Sequence, residues 1–262
     1  MSPRGVVLMY HRLSDGPADP EEGDYVLPPS LFEAQMHWLA ARGRQVVSLA
    51  TLAGGRYEGG AVALTFDDGC DSDATVAGPL LRPLGFPAAF FVNPARVGVE
   101  GRASWDQLRA LAGEGFAIGS HGLDHTLFDD LAPSELERQI AESKREIEER
   151  LGRKIDALSL PGGSGGDRAQ RVARDVGYRL VLGSRPGVVR GPAGPGILPR
   201  FALRRGHGLA GFQAAVDRRP LFVLRQVLWH RVSQAGRQLF GTRAYGRLRR
   251  RWVDRGAPAG RA

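Results

Sequence analysis

Cysteine is almost absent: Cys70 is the only one in 262 residues. An internal disulfide framework and a thiolate metal cluster are therefore excluded, and any metal held by side chains must use His, Asp or Glu. Lysine is nearly as scarce, with Lys144 and Lys154 alone, so arginine carries nearly all the positive charge. No segment reaches the ~18 apolar residues of a membrane span. The chain passes from Met1 to the apolar Val6-Val7-Leu8-Met9 almost at once, without the ~15–30 residues of a secretory signal. The cytoplasm is the expected location, with export by another route left open. What remains, 42% hydrophobic and 24% charged, is the composition of an ordinary globular protein able to bury a sizeable core.

Short apolar runs alternate with amphipathic stretches. Residues 6–10, 61–66, 88–92, 116–120, 157–160, 178–182 and 197–203 read as strands. Residues 30–41, 74–84, 104–113, 133–151 and 169–176 read as helices. Pro79 and Pro83 interrupt the second helix. Ser104 is a cap for the third, Ser134 with Glu137 forms a capping box for the fourth, and Gly152 ends it. The Gly/Pro-rich stretch 186–196 reads as a loop. Strands alternating with helices predict an α/β protein with a mostly parallel sheet. About seven units in some 200 residues suggest a barrel slightly smaller than the eightfold type.

Three motifs follow predicted strands. Thr65-Phe66-Asp67-Asp68-Gly69 places two adjacent carboxylates at the end of an apolar run, where a buried anion needs pairing, hydrogen bonds or a metal; Asp-Gly alone is also a turn signal. Ser120-His121-Gly122-Leu123-Asp124-His125 sets two histidines four apart, a spacing that suits a divalent metal with open positions. Asp124 reads as a solvent-facing loop residue. Leu158-Ser159-Leu160-Pro161-Gly162-Gly163 offers backbone N–H groups that can approach a ligand. All three lie at C-terminal ends of parallel strands, the face on which α/β barrels build active sites. Two histidines and one carboxylate form a common metal triad, leaving the other carboxylate for acid–base work.

These motifs, with Met9-Tyr10-His11-Arg12, Phe90-Phe91-Val92, Trp105 and Gly177-Tyr178, resemble the polysaccharide deacetylase family, the NodB-homology group of carbohydrate esterases, over residues 5–205. The resemblance implies a distorted (β/α)7 barrel and a single divalent metal ion, often zinc. It implies hydrolysis of N-acetyl or O-acetyl groups on an acetylated glycan substrate. Carried over by position, Asp67 is the base, and Asp68, His121 and His125 hold the metal. Pro161, Gly162 and Gly163 form the oxyanion and substrate loop, Gly162 through its backbone N–H where the family usually has Tyr.

The chain departs from the family pattern in two places. The Arg that often orients the base from two residues before the loop proline is replaced by Ser159, and Arg200 is the candidate to supply that charge. The late histidine motif of the catalytic acid is missing, as is the Trp of the fourth motif near residues 180–184. His11 is preferred to His207 as acid or substrate contact.

Residues 1–205 are thus expected to form the catalytic barrel, 206–255 a basic helical extension, and 256–262 a disordered tail. Acids and bases interleave to about residue 150, and the excess behind the net charge of +8 lies downstream. Arg247, Arg249, Arg250 and Arg251 alternate with Tyr245, Leu248 and Trp252. Such a helix packs on the barrel with a solvated basic face, the preferred reading, or lies on an anionic membrane surface. No nucleic-acid-reading motif accompanies the charge, so no nucleic-acid partner is expected. Two other functions fit the same sequence: an amidase cleaving a non-peptide C–N bond in a small molecule, and a glycan-binding module that has lost catalysis.

Overall fold

The computed structural model describes residues 4–16 and 23–240. Its strands are β1 (Arg4–Tyr10), β2 (Gln45–Val46), β3 (Gly60–Phe66), β4 (Ala88–Val92), β5 (Ala117–Ser120), β6 (Ala157–Ser159), β7 (Leu180–Leu182), β8 (Val189–Arg190) and β9 (Phe201–Ala202). Six of them run in the order β7-β6-β5-β4-β3-β1, all parallel. The segment leading into β9 closes the ring. Leu198 bridges to Leu182 on β7, and Phe201 and Ala202 pair in parallel with Leu8 and Met9 on β1. The closed circuit is the expected distorted seven-stranded barrel. β2 adds to β3, and β8 runs antiparallel to β1.

The apolar runs are continuous because both faces of these strands are buried. On the outer face Val6, Leu8, Tyr10, Val62, Leu64, Phe66, Phe90 and Val92 meet the helices. On the inner face Val7, Ala63, Ala89, Phe91, Leu182 and Leu198 fill the barrel. The helices are α1 (Pro29–Ala41), α2 (Leu49–Ala53), α3 (Gly78–Leu81), α4 (Trp105–Gly113), α5 (Pro133–Leu151), α6 (Gly166–Asp175), α7 (Gly208–Val216) and α8 (Pro220–Phe240). None of the described helices is long and apolar enough to cross a membrane.

Several expectations are corrected. The helix expected over 74–84 is a π-turn, Asp73–Ala77, running into α3. Pro79 lacks the N–H that a regular helix would use there, and the Gly78 N–H bonds back to the Asp73 carbonyl. Ser134 does not cap α5: Ala132 is the N-cap with no side-chain bond, because Pro133 takes the first helical position. Ser104 does cap α4, in a complete capping box with Gln107. Gly152 ends α5 in the left-handed conformation, φ 66°. The strand expected over 197–203 shrinks to β9, and the 186–196 loop contains β8. The basic aromatic run at 243–252 and the tail at 256–262 lie outside the described residues.

Candidate active site

Register sets the site. Tyr10 pairs with Phe66, Phe66 with Phe90, Val92 with Ser120, and Ser120 with Leu158. The chain therefore leaves β1, β3, β5 and β6 at one level, delivering His11, Asp67 with Asp68, His121, and the 160–163 loop to one end of the barrel. A cavity of about 330 Å³ opens there. Its lining includes His11, Asp67, Asp68, His121, His125, Gly162, Gly163 and Arg200, and so nearly every residue singled out in the sequence.

One ligand-capable atom from each of Asp68, His121 and His125 lies within 4.8 Å of the other two. Asp68 Oδ1 stands 3.4 Å from His121 Nε2 and 3.2 Å from His125 Nε2. His121 Nδ1 lies 2.8 Å from the Ser159 carbonyl. A carbonyl only accepts, so Nδ1 carries the proton and the Nε2 lone pair is turned toward Asp68. Asp68 Oδ1 is itself buried without a hydrogen-bond partner. Acceptor atoms thus converge on one point, an arrangement a cation stabilises, and two imidazoles with one carboxylate suit zinc or a similar divalent ion. Burial disfavours an ionised Asp68, but His121 and His125 outweigh it and hold the carboxyl well below the usual range. Burial likewise disfavours a charged His121, yet Asp67 and Asp68 raise its pKa; the site attracts positive charge. Asp68 and His125 both sit at positive φ, 78° and 73°, strain of the kind that surrounding structure imposes at functional sites.

Asp67 has different surroundings. Arg200, buried, donates from Nη1 to Asp67 Oδ1 at 2.8 Å and from Nη2 to Oδ2 at 2.7 Å. Its remaining bonds go to the Gly183 carbonyl, Thr65 Oγ1 and Ser159 Oγ. Ser159 Oγ in turn donates to Asp67 Oδ2 at 3.1 Å. Burial would raise Asp67, but the Arg200 charge, then His121, reverse the effect and keep it below the usual carboxylate value. Asp67 Oδ2 is 4.0 Å from His121 Nε2, so the carboxylate faces the histidine cluster.

The remaining candidates divide. The His11 ring lies against Tyr25, centroids 4.6 Å apart, and its Nδ1 is buried without a partner. Burial lowers its pKa, partly offset by Asp68 and Asp67. His207 is held at Nε2 by the Gln226 side chain and does not line the cavity. Asp124 is exposed and bonds Thr126 N and Gln139 Nε2. Gly162 and Gly163 have φ of 58° and 70°, and a Cβ on Gly163 would meet Ser184 Oγ at 2.0 Å. The unforeseen part is the far wall. Gln226, Trp229, His230 and Ser233 of α8 line the same cavity, beside Arg204. The only signal for them is an adjacent aromatic and histidine, Trp229-His230, in an apolar stretch.

A polysaccharide deacetylase family model matches residues 54–181. YxkH of Bacillus subtilis, described as a polysaccharide deacetylase, is 26% identical over 216 residues, covering 80% of this chain and 75% of YxkH. The peptidoglycan-N-acetylglucosamine deacetylase of Bacillus cereus is 30% identical over 137 residues, covering 52% of this chain and 62% of that protein. Among solved structures, the Streptococcus pyogenes deacetylase PplD in complex with acetate superposes with TM-score 0.73 at 20% identity, over 82% of this chain and 99% of PplD. IcaB from Ammonifex degensii gives TM-score 0.70 at 27% identity, over 80% and 96%. Motif order, barrel closure and these likenesses agree: residues 54–181 match the polysaccharide deacetylase family, a group of carbon–nitrogen hydrolases.

Proposed function

We propose that this protein is a metal-dependent hydrolase that removes N-acetyl groups from a glycan. The observation that carries the reading is the separation of the paired carboxylates: Asp68 faces two imidazole Nε2 atoms, while Asp67 is locked by Arg200 one residue away. Asp68, His121 and His125 would hold the ion, zinc by their donor set. When bound, it supplies Lewis acidity to an acyl oxygen and lowers the pKa of water. The N-acetylglucosamine named for the Bacillus cereus relative supports an N-acetyl substrate.

The chain's own groups supply the rest. Asp67, held ionised, takes the proton of the attacking water. Water oxygen adds to the acetyl carbon, and the Gly162 N–H donates to the oxygen that gains charge. Pro161 and Gly163 shape the loop that presents it. His11, neutral in its buried setting, relays the proton taken up by Asp67 to the leaving amine as the C–N bond breaks and acetate departs. In this reading residues 1–205 are the catalytic barrel and the helices from 206 on are an extension that closes one side of the cleft.

The test is acetate release from N-acetylglucosamine oligomers. Chelation abolishes it and zinc restores it. Asp67→Asn lowers turnover by about 10²–10⁴-fold yet keeps the zinc-induced rise in Tm. Asp68→Ala loses that rise. Full activity after chelation, or zinc binding with no acetate released from any acetylated glycan, would sink the reading.

A further inference from the structure

Helix α8 has two faces. Gln226, Trp229, His230 and Ser233 line the cleft, and Phe222 and Val223 pack on the barrel core. On the opposite side Leu221, Leu224, Leu228 and Val232 are 77%, 54%, 51% and 63% exposed. Their spacing of three, four and four aligns them in one stripe over about 16 Å of helix. At 3.6 residues per turn, Arg225 and Arg231 fall on its two edges, and both are exposed. Val99 and Trp229 are the only other large apolar residues exposed among the described ones. The stripe is therefore the main unpartnered apolar surface of the described chain, and it is rimmed by cations.

Charge identifies what covers it. Residues 1–205 hold 24 cationic and 26 acidic side chains; residues 206–262 hold twelve arginines and two aspartates. The whole positive excess thus lies in the extension, and α8 contains no acidic residue. A second copy on this face would press arginines together with no carboxylate between them. An apolar ridge with arginines at both edges matches a bilayer interface, where leucines enter the acyl boundary and guanidinium groups stay at phosphate level. The chain beyond residue 240 adds seven arginines with Tyr245, Leu248 and Trp252, a composition suited to anionic lipid.

We infer that α8 docks this protein on an anionic phospholipid surface through Leu221, Leu224, Leu228 and Val232, with Arg225 and Arg231 at the headgroups. The cleft wall is the other side of the same helix, so docking sets the cleft about one helix diameter, ~10 Å, from the lipid. Glycans carried at a membrane come within reach of it.

The full chain is sedimented with vesicles of mixed phosphatidylglycerol and phosphatidylcholine, and with phosphatidylcholine alone. It pellets with the mixed vesicles only, and high salt releases it. The exposed double variant L221E/L228E, with an unchanged circular-dichroism melt, lowers the partition coefficient about tenfold or more. R225Q/R231Q, a second variant that leaves the apolar stripe intact, lowers it severalfold. Vesicle binding by L221E/L228E equal to wild type would assign the affinity to the residues after 240 and overturn the role of α8. So would failure to pellet with anionic vesicles. A dimer in light scattering, lost in L221E/L228E without any vesicle binding, would make a second copy the occupant instead.

Discussion

Asp67 and Asp68 are chain neighbours that meet opposite electrostatic tasks, and Arg200 is what separates them. Its guanidinium grips Asp67 at 2.8 and 2.7 Å inside the barrel. Removing one partner of a buried ion pair strands the other, at a cost of about 3–5 kcal/mol. Arg200→Met is therefore expected to be strongly destabilised, and its Asp67 to ionise only at higher pH. The folded-state pKa of Asp67 is depressed, so its contribution to stability is present above the ordinary carboxylate value and lost as pH falls through the depressed one. In Arg200→Met the acid limb of the kcat/KM profile moves to higher pH; Arg200→Lys, which restores charge without the fork, recovers only part of that shift. An unmoved acid limb with lowered Tm alone would reduce Arg200 to a structural residue. Asp67, Asp68, His121 and His125 were legible because each pair sits in a short contiguous motif. Arg200 is 133 residues from Asp67, and no local pattern links them; its place after an apolar run near the expected seventh strand was the only pointer.

At the level of elements, the strands and their spacing were readable because most barrel strands are buried on both faces and stand out as short apolar runs. Two-residue strands such as β2 and β8 leave no such trace, and a proline at the first helical turn moved the start of α5 without changing its pattern. The attachment of α8 was equally hidden, since it rests on a handful of long-range side-chain contacts. One is between His207 Nε2 and Gln226 Nε2 at 3.0 Å. The amide NH2 donates, so the imidazole must accept there and stay neutral. Burial, then Arg204, lower the His207 pKa to about 4. The unfolded chain takes up this proton below about 6.5, while the folded protein resists it until about 4. Stability from His207 is thus complete above pH 6.5 and lost as pH falls toward 4, by about 2 kcal/mol after allowance for partial exposure. Protonation also sets N–H against N–H at Gln226 and weakens the hold on α8. Denaturant melts at pH 7 and pH 4.5 check this: the pH-dependent loss is smaller in His207→Leu by about that amount. Equal losses in the two proteins would show that another group carries the acid sensitivity.

For the molecule as a whole, the cleft is a joint product of two regions with different sequence signals. The family match ends at residue 181, yet Arg200, Arg204, Gln226, Trp229, His230 and Ser233 complete the walls. The chemistry-bearing floor comes from the matched part. The wall that a polymer would slide along comes from α8, with Trp229 stacked near the Arg204 guanidinium at 5.7 Å and Tyr25 against the same arginine at 5.2 Å. Aromatic faces beside a cation suit the apolar faces and hydroxyls of a sugar chain. Trp229 and Arg204 are not among the groups that converge at Asp68, His121 and His125, so they are expected to hold the sugar chain rather than the reacting acetyl group. Trp229→Ala is accordingly expected to lower kcat/KM for an N-acetylglucosamine oligomer by about tenfold, the loss of one aromatic contact of ~1–1.5 kcal/mol. A small aryl acetate that reaches only the floor is turned over within about twofold of wild type. Parallel losses on both substrates would place Trp229 with the reacting groups, and no loss on the oligomer would remove α8 from substrate binding. Such a split would make the extension a reader of substrate length, built on a helix that lies beyond the family match at residues 54–181.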